Sequence, residues 1–211
     1  MEVDKISWSD VLEEYFQKQG EKCECYAWLY THAEGIYSRR RTWIDLPVSI
    51  VSSLTGFFSV GSSMMFQGEE RMSSIALGVA SLIVAIMNST KSYFSWDKKA
   101  EGCRISAISY AKLYRFISVQ LGLPRQERLT PGDLLTFVKD GYDRLAETSY
   151  ALPPESIDAF KRRFNLEKYN TISKPEVANG LEKVSIFRVN TEQIRVNTEQ
   201  SVKVEVKESE A

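Results

Sequence analysis

The 211 residues are 43% hydrophobic and 26% charged, with a net charge of −1. These averages suit one or two ordinary soluble domains and exclude any general attraction to nucleic acid. Three cysteines, Cys23, Cys25 and Cys103, are an odd number with one Cys-x-Cys spacing, which argues against a disulfide framework and for reduced thiols.

Residues 1–43 read as an amphipathic helix. The acidic start, Met1-Glu2-Val3-Asp4, lacks the basic residues and early apolar core of a cleavable signal peptide, so none is expected. Ser9 or Asp10 can cap the helix, with Glu13 three residues after Asp10. Leu12, Tyr15, Phe16, Gln19, Tyr26, Leu29, Tyr30, Ala33 and Tyr37 then recur at mostly three- and four-residue steps, forming one aromatic-rich face. Gly20 costs such a helix about 1 kcal/mol without ending it. His32, the only histidine, cannot build a metal cluster alone. Arg39, Arg40 and Arg41 followed by Trp43 suit a membrane interface: guanidinium groups stay with water and phosphates, and the indole sits at headgroup depth.

Residues 44–91 read as a transmembrane hairpin. Leu46 to Phe66 and Met72 to Thr90 carry no charge, and only Gln67-Gly68-Glu69-Glu70-Arg71 separates them. A bilayer core about 30 Å thick needs about 20 such residues per helix. Pro47 falls in the first turn, where its missing N–H costs little. Ser52 and Gly56, then Ser74 and Gly78, then Ser81 and Ala85 have the four-residue spacing of small side chains that lets helices approach closely. These faces either pack on each other or line an oligomeric pore. Basic residues cluster outside the hairpin, at Arg39 to Arg41 and at Lys91, Lys98, Lys99 and Arg104. The turn holds one arginine against two glutamates, so both termini are expected on the cytosolic side.

Residues 92–168 read as a helical region. Lys91, Tyr93, Phe94 and Trp96 make a second interfacial cluster. The helix beyond carries Trp96, Ala100, Cys103, Ala107, Tyr110, Ala111, Tyr114, Ile117 and Leu121 on one face and should end near Gly122-Leu123-Pro124. Its face is expected to pack on the N-terminal helix, extending the hairpin into a long antiparallel pair. Thr130-Pro131 with Asp133 opens another helix, and Pro153-Pro154 breaks it. A short helix then ends in Lys161-Arg162-Arg163, either a solvated end favoured by the helix dipole or a contact for anionic headgroups.

Residues 169–211 read as a tail. It holds the repeat Arg188-Val-Asn-Thr-Glu-Gln-Ile, Arg195-Val-Asn-Thr-Glu-Gln-Ser and the alternating Val202-Lys-Val-Glu-Val-Lys. Both an extended strand added to a partner's sheet and a flexible charged tail fit this pattern. No phosphate loop, His-Glu-x-x-His, Cys-x-x-Cys or nucleophile elbow occurs, so no catalytic, metal or cofactor site is expected, nor an enzyme.

The fold expected is therefore an all-α membrane protein: a two-helix transmembrane hairpin extended by long amphipathic cytosolic helices, with an extended or β-like C-terminal tail. Tyr37-Ser-Arg-Arg-Arg, Leu46-Pro-Val-Ser-Ile-Val-Ser-Ser-Leu-Thr-Gly, Tyr110-Ala-Lys-Leu-Tyr and Pro153-Pro-Glu-Ser-Ile occur in that order. This pattern, over about Cys23 to Phe164, resembles the SLATT superfamily of two-transmembrane proteins, and within it the membrane proteins of large nucleocytoplasmic DNA viruses. The viral resemblance implies a structural component of the virion inner membrane, linking it to capsid-lining proteins, with residues 172–211 as a contact. Bacterial relatives imply the alternative, a small oligomeric pore or channel. The partners implied are the lipid bilayer, virion or capsid proteins and further copies of the chain, without nucleic acid or catalytic residues.

Overall fold

A computed structural model describes residues 7–65, 70–165 and 169–180, with the side chains of 60–74 outside the description. All regular structure among the described residues is helical: α1 Asp10–Met65, α2 Glu70–Phe94, α3 Trp96–Gly122, α4 Pro131–Thr148, α5 Pro154–Arg163 and α6 Glu176–Asn179. α1 alone, at 56 residues, is about 84 Å long. It runs through Gly20 and through Pro47 without interruption.

One register governs the long helices. α2 and then α3 run back along α1, and the cross-helix partners are Asp45 with Lys91, Arg41 with Asp97, Tyr26 with Tyr110, Gly20 with Ile117, and Glu13 with Arg125. Each pair is centred on positions 68–69, so the two arms form a single antiparallel hairpin from end to end. The packing of α1 on α3 is the expected one. At Gly20 a Cβ would come within 3.3 Å of Ile117, so the glycine marks the close approach of the two backbones.

The two arms are held differently along their length. Below a charged collar at Asp45 and Lys91, Phe16, Cys23, Tyr30, Ala33 and Tyr37 of α1 are buried against Ala100, Cys103, Ala107, Tyr110, Leu113 and Ile117 of α3. Leu134 and Val138 of α4 close the same core. At its centre Tyr110 stacks on Tyr26 at 5.0 Å and on Tyr30 at 5.6 Å, and Tyr142 meets Tyr26 and Tyr110 edge-on. Above the collar the seam is narrow. Half-buried positions recur at Ile44, Val48, Val51 and Thr55 in α1 and at Leu77, Ala80, Val84 and Met87 in α2, the three-and-four spacing of a two-helix seam.

Local chemistry sets the ends. Ser9 Oγ accepts from Leu12 N at 3.3 Å, while Glu13 turns away from the cap to Arg125 and Arg128. Hydrogen bonds from both guanidinium groups hold the Glu13 carboxyl down at about 2. Arg128 also donates to the Leu121 and Leu123 carbonyls at the end of α3 and lies over the Trp8 ring. Thr130 caps α4 by accepting from Asp133 N. α5 is tied to α1 by Ser156, whose buried hydroxyl donates to the Leu29 carbonyl at 2.8 Å. Residues 169–180, which the sequence groups with the tail, pack on the bundle. Ile172 and Ala178 lie against the Leu29, Cys25 and Phe160 cluster, Pro175 is fully buried, and Ser173 N donates to Glu21. The repeat and the alternating segment lie outside the described residues.

Gly102 carries a testable packing constraint. A Cβ there would fall within the Tyr150 ring, whose own backbone carbonyl accepts from Tyr30 Oη at 3.1 Å. Overpacking costs about 1–3 kcal/mol, whereas alanine gains about 1 kcal/mol of helix propensity over glycine. Gly102→Ala is expected to destabilise by about 1 kcal/mol alone and to stabilise by about 1 kcal/mol in a Tyr150→Ala background. Thermal unfolding of the four-member cycle measures this reversal of sign.

Candidate functional site: an exposed apolar hairpin and its charged collar

The stretch of the molecule least explained by its own core is the upper hairpin. Leu46, Ile50, Leu54, Phe57 and Phe58 of α1 and Ile75, Val79, Leu82, Ile83 and Ile86 of α2 all stand exposed, Phe57 at 66% and Leu82 at 61%. Monomeric soluble proteins rarely leave so large a continuous apolar surface open. Among the described residues one helical stretch, within Ile75–Gly122, is long and apolar enough to cross a membrane, and none of its apolar window is buried. Three hydroxyls here bond back to their own helix: Ser53 to the Ser49 carbonyl, Thr55 to Val51 and Thr90 to Ile86, each within 2.9 Å. Their polarity is thus satisfied without solvent.

A collar of four charges bounds this surface. Lys91 Nζ lies 2.7 Å from Asp45 Oδ1 and 3.5 Å from Asp97 Oδ2. Arg41 Nε donates to Asp45 Oδ2 at 3.0 Å and lies 2.7 Å from Asp97 Oδ1. That single N–H is aimed at Asp45, so Asp97 Oδ1 touches the cation without accepting a hydrogen bond. Two cations and two anions leave the collar neutral. It joins α1, the end of α2 and the start of α3 at one level. Ser95, between α2 and α3, adopts a left-handed conformation at φ 50°, and its hydroxyl donates to the Ser92 carbonyl. Ser95 thus separates α2 from α3 at the level of the collar.

From Asp45 to the end of α1 is 21 residues, about 31 Å. Aromatic side chains flank the collar. Trp43 is 73% exposed and Tyr93 83%, while Trp96 is half-buried and stacks on Phe94 at 5.0 Å.

The interfacial residues singled out in the sequence are brought together, but with different partners. Arg41 and Lys91 are in the collar, and Arg40 pairs with Glu155 of α5 at 2.6 Å. Only Arg39 of the three consecutive arginines has no acidic partner among the described residues. Asp45 and Asp97 were not legible as members of the site. The local hint is an acid abutting an uncharged run and another six residues after Lys91. The small-residue faces do not form the α1–α2 seam. Ser52, Gly56, Gly78, Ser81 and Ala85 are all exposed, and a Cβ built on Gly56 or Gly78 meets nothing within 4 Å. Val51, Thr55, Leu77, Ala80 and Val84, each one position away, occupy the seam instead, and the small faces point outward. The side chain of Ser74 lies outside the description.

Reactive chemistry is suppressed rather than assembled. Burial pushes the Cys23 thiol up to about 12 and those of Cys25 and Cys103 to about 11, so none forms a thiolate near neutrality. Among the described residues no three His, Cys, Asp or Glu side chains converge as metal ligands would. An open groove of 1310 Å³ lies between α3 and α4, with Ile105, Phe116, Phe137 and Tyr150 in its walls. The protein presents an apolar rod, a neutral collar and a tyrosine-cored bundle. Comparison with protein families, with curated proteins and with solved structures gave no match to this chain.

Proposed function

We propose that the chain is an integral membrane structural protein whose hairpin crosses a bilayer twice and whose bundle stays on the cytosolic side with both termini. The observation that carries this reading is the exposed apolar surface from Leu46 to Phe58 and from Ile75 to Ile86, closed off by the Asp45–Lys91 collar. Its length of about 31 Å agrees with a hydrocarbon core of about 30 Å. Trp43 and Tyr93 stand out where an aromatic belt is needed. Arg39 to Arg41, Lys98, Lys99 and Arg104 put the basic excess on the bundle side. The resemblance to two-transmembrane proteins of large DNA viruses extends the proposal to the virion inner membrane, with the bundle and residues 172–211 reaching capsid-lining proteins. The open groove between α3 and α4 offers an apolar surface for such a contact.

The expected result is that the protein stays in the pellet after alkaline carbonate extraction and moves to the supernatant only with detergent. In purified virions it should be lost with the stripped membrane. Release by carbonate alone overturns the anchor, and absence from virions overturns the location.

A second reading, an oligomeric pore, is favoured by the outward, uncovered faces around Ser52–Gly56 and Gly78–Ala85, which are free to meet another copy. Against it, neither uncharged run holds an ionisable residue to mark an ion path. Conductance of the purified protein in liposomes separates the two.

A further inference from the structure

A groove of 480 Å³ runs between α1 and α5. Its α1 wall is Trp28, His32, Gly35 and Arg39, and its α5 wall includes Arg162 and Arg163. Three arginines therefore face one cleft. The acid that also lines it, Glu155, is held by Arg40 at 2.6 Å, so it does not neutralise the others. Arg39 and Arg162 have neither an ion pair nor a hydrogen-bond partner among the described residues, and both are exposed. Arg163 is placed over the Trp28 ring at 5.7 Å, with its guanidinium plane supported by an aromatic face.

The floor of the groove is prepared in two further ways. Trp28 and His32 stack at 5.2 Å with nearly parallel rings, so the imidazole is oriented. His32 Nδ1 is buried and has no hydrogen-bond partner. Gly35, one helical turn beyond His32, leaves open space where a side chain would project. Two uncommitted guanidinium groups, a third supported on an aromatic face, an oriented imidazole and a cleared floor are the elements that recognise a phosphate group.

We infer that this groove binds a phosphorylated anion, with Arg39 and Arg162 as the principal ligands and Arg163 and His32 as supporting donors. Arg39 lies six residues before Asp45, about 9 Å along α1 from the collar, so the upper end of the groove opens near headgroup level if the hairpin is in a bilayer. The lower end, at Trp28, is about 26 Å from the collar and open to soluble ligands. The phosphate can thus come from a lipid headgroup or from a free polyphosphate. The soluble case stands without the membrane proposal.

The test is isothermal titration of the full chain in neutral detergent micelles. One arm uses inositol hexakisphosphate. The other uses dioctanoyl phosphatidylinositol 4,5-bisphosphate, with dioctanoyl phosphatidylcholine as its blank. Saturable binding is expected in at least one arm, weakened at least tenfold by Arg39→Gln with Arg162→Gln. The control, Lys112→Gln with Arg115→Gln, removes the same charge from the exposed side of α3 and is expected to leave binding within twofold. Binding of the soluble probe alone assigns a free phosphate ligand, and binding of the lipid probe alone assigns a headgroup. No saturable binding in either arm, or equal loss in both variants, overturns the inference. All four substituted side chains are exposed, so folding is not at stake.

Discussion

Leu82→Arg is expected to lower membrane insertion of the hairpin about 100-fold. Leu82 is 61% exposed and lies near the middle of the apolar length of α2. In water, an arginine at so open a helix position costs less than about 0.5 kcal/mol and is often neutral. At the centre of a bilayer the same change costs about 2.5–3.5 kcal/mol on insertion scales. The two environments therefore predict opposite outcomes for one substitution. The readout is the carbonate-resistant fraction of newly made protein, compared with Lys98→Arg as a neutral control on the bundle side. A variant that partitions like the unmodified chain places Leu82 in water and removes the anchor.

Tyr110→Ala is expected to destabilise the bundle by about 3–5 kcal/mol, the largest loss available from one core position. Its ring is 2% exposed and touches those of Tyr26, Tyr30 and Tyr142. Tyr110→Phe keeps the ring and removes only the hydroxyl, so about 0.5–1.5 kcal/mol is expected. Burial raises the Tyr110 hydroxyl well above the ordinary phenol range, so the stability gap between the unmodified chain and Tyr110→Phe should not change between pH 6 and pH 9 and should narrow only above the ordinary phenol range, where the unfolded chain ionises. Thermal unfolding followed by near-ultraviolet circular dichroism measures both. Equal losses from the two variants would mean that the hydroxyl network, rather than ring packing, holds the core. Neither change touches the apolar hairpin, so carbonate resistance should be retained in both.

The helices were legible because their periodicity is strong. The aromatic positions from Phe16 to Tyr37, and those from Ala100 to Ile117, predict both the elements and their pairing, and Thr130 and Gly122 mark ends that the structure keeps. What depended on distant residues was not legible. Arg40 and Arg41 beside Trp43 suggest contacts to phosphate. Their carboxylate partners at Glu155 and Asp97 lie 115 and 56 residues away, outside any local window. The Ser156 bond to the Leu29 carbonyl spans 127 residues and leaves no periodic trace. The small-residue spacing carries no information on which neighbour a helix face meets. In the hairpin that face is turned away from α2, and the seam is filled by Val48, Val51, Leu77 and Val84.

Because the cross-helix pairs from Asp45–Lys91 to Glu13–Arg125 are centred close to one point, the order of assembly is built into the chain. The collar pair Asp45–Lys91 closes a loop of 46 residues, and the terminal pair Glu13–Arg125 one of 112. Loop-closure entropy grows only as the logarithm of length, so the longer loop costs about 0.8 kcal/mol more than the shorter. Once the collar has formed, each pair nearer the ends adds only a small increment. The structure should therefore zip from the hairpin outward, with the N-terminus of α1 docking last, after the ribosome has delivered Arg125 and Arg128.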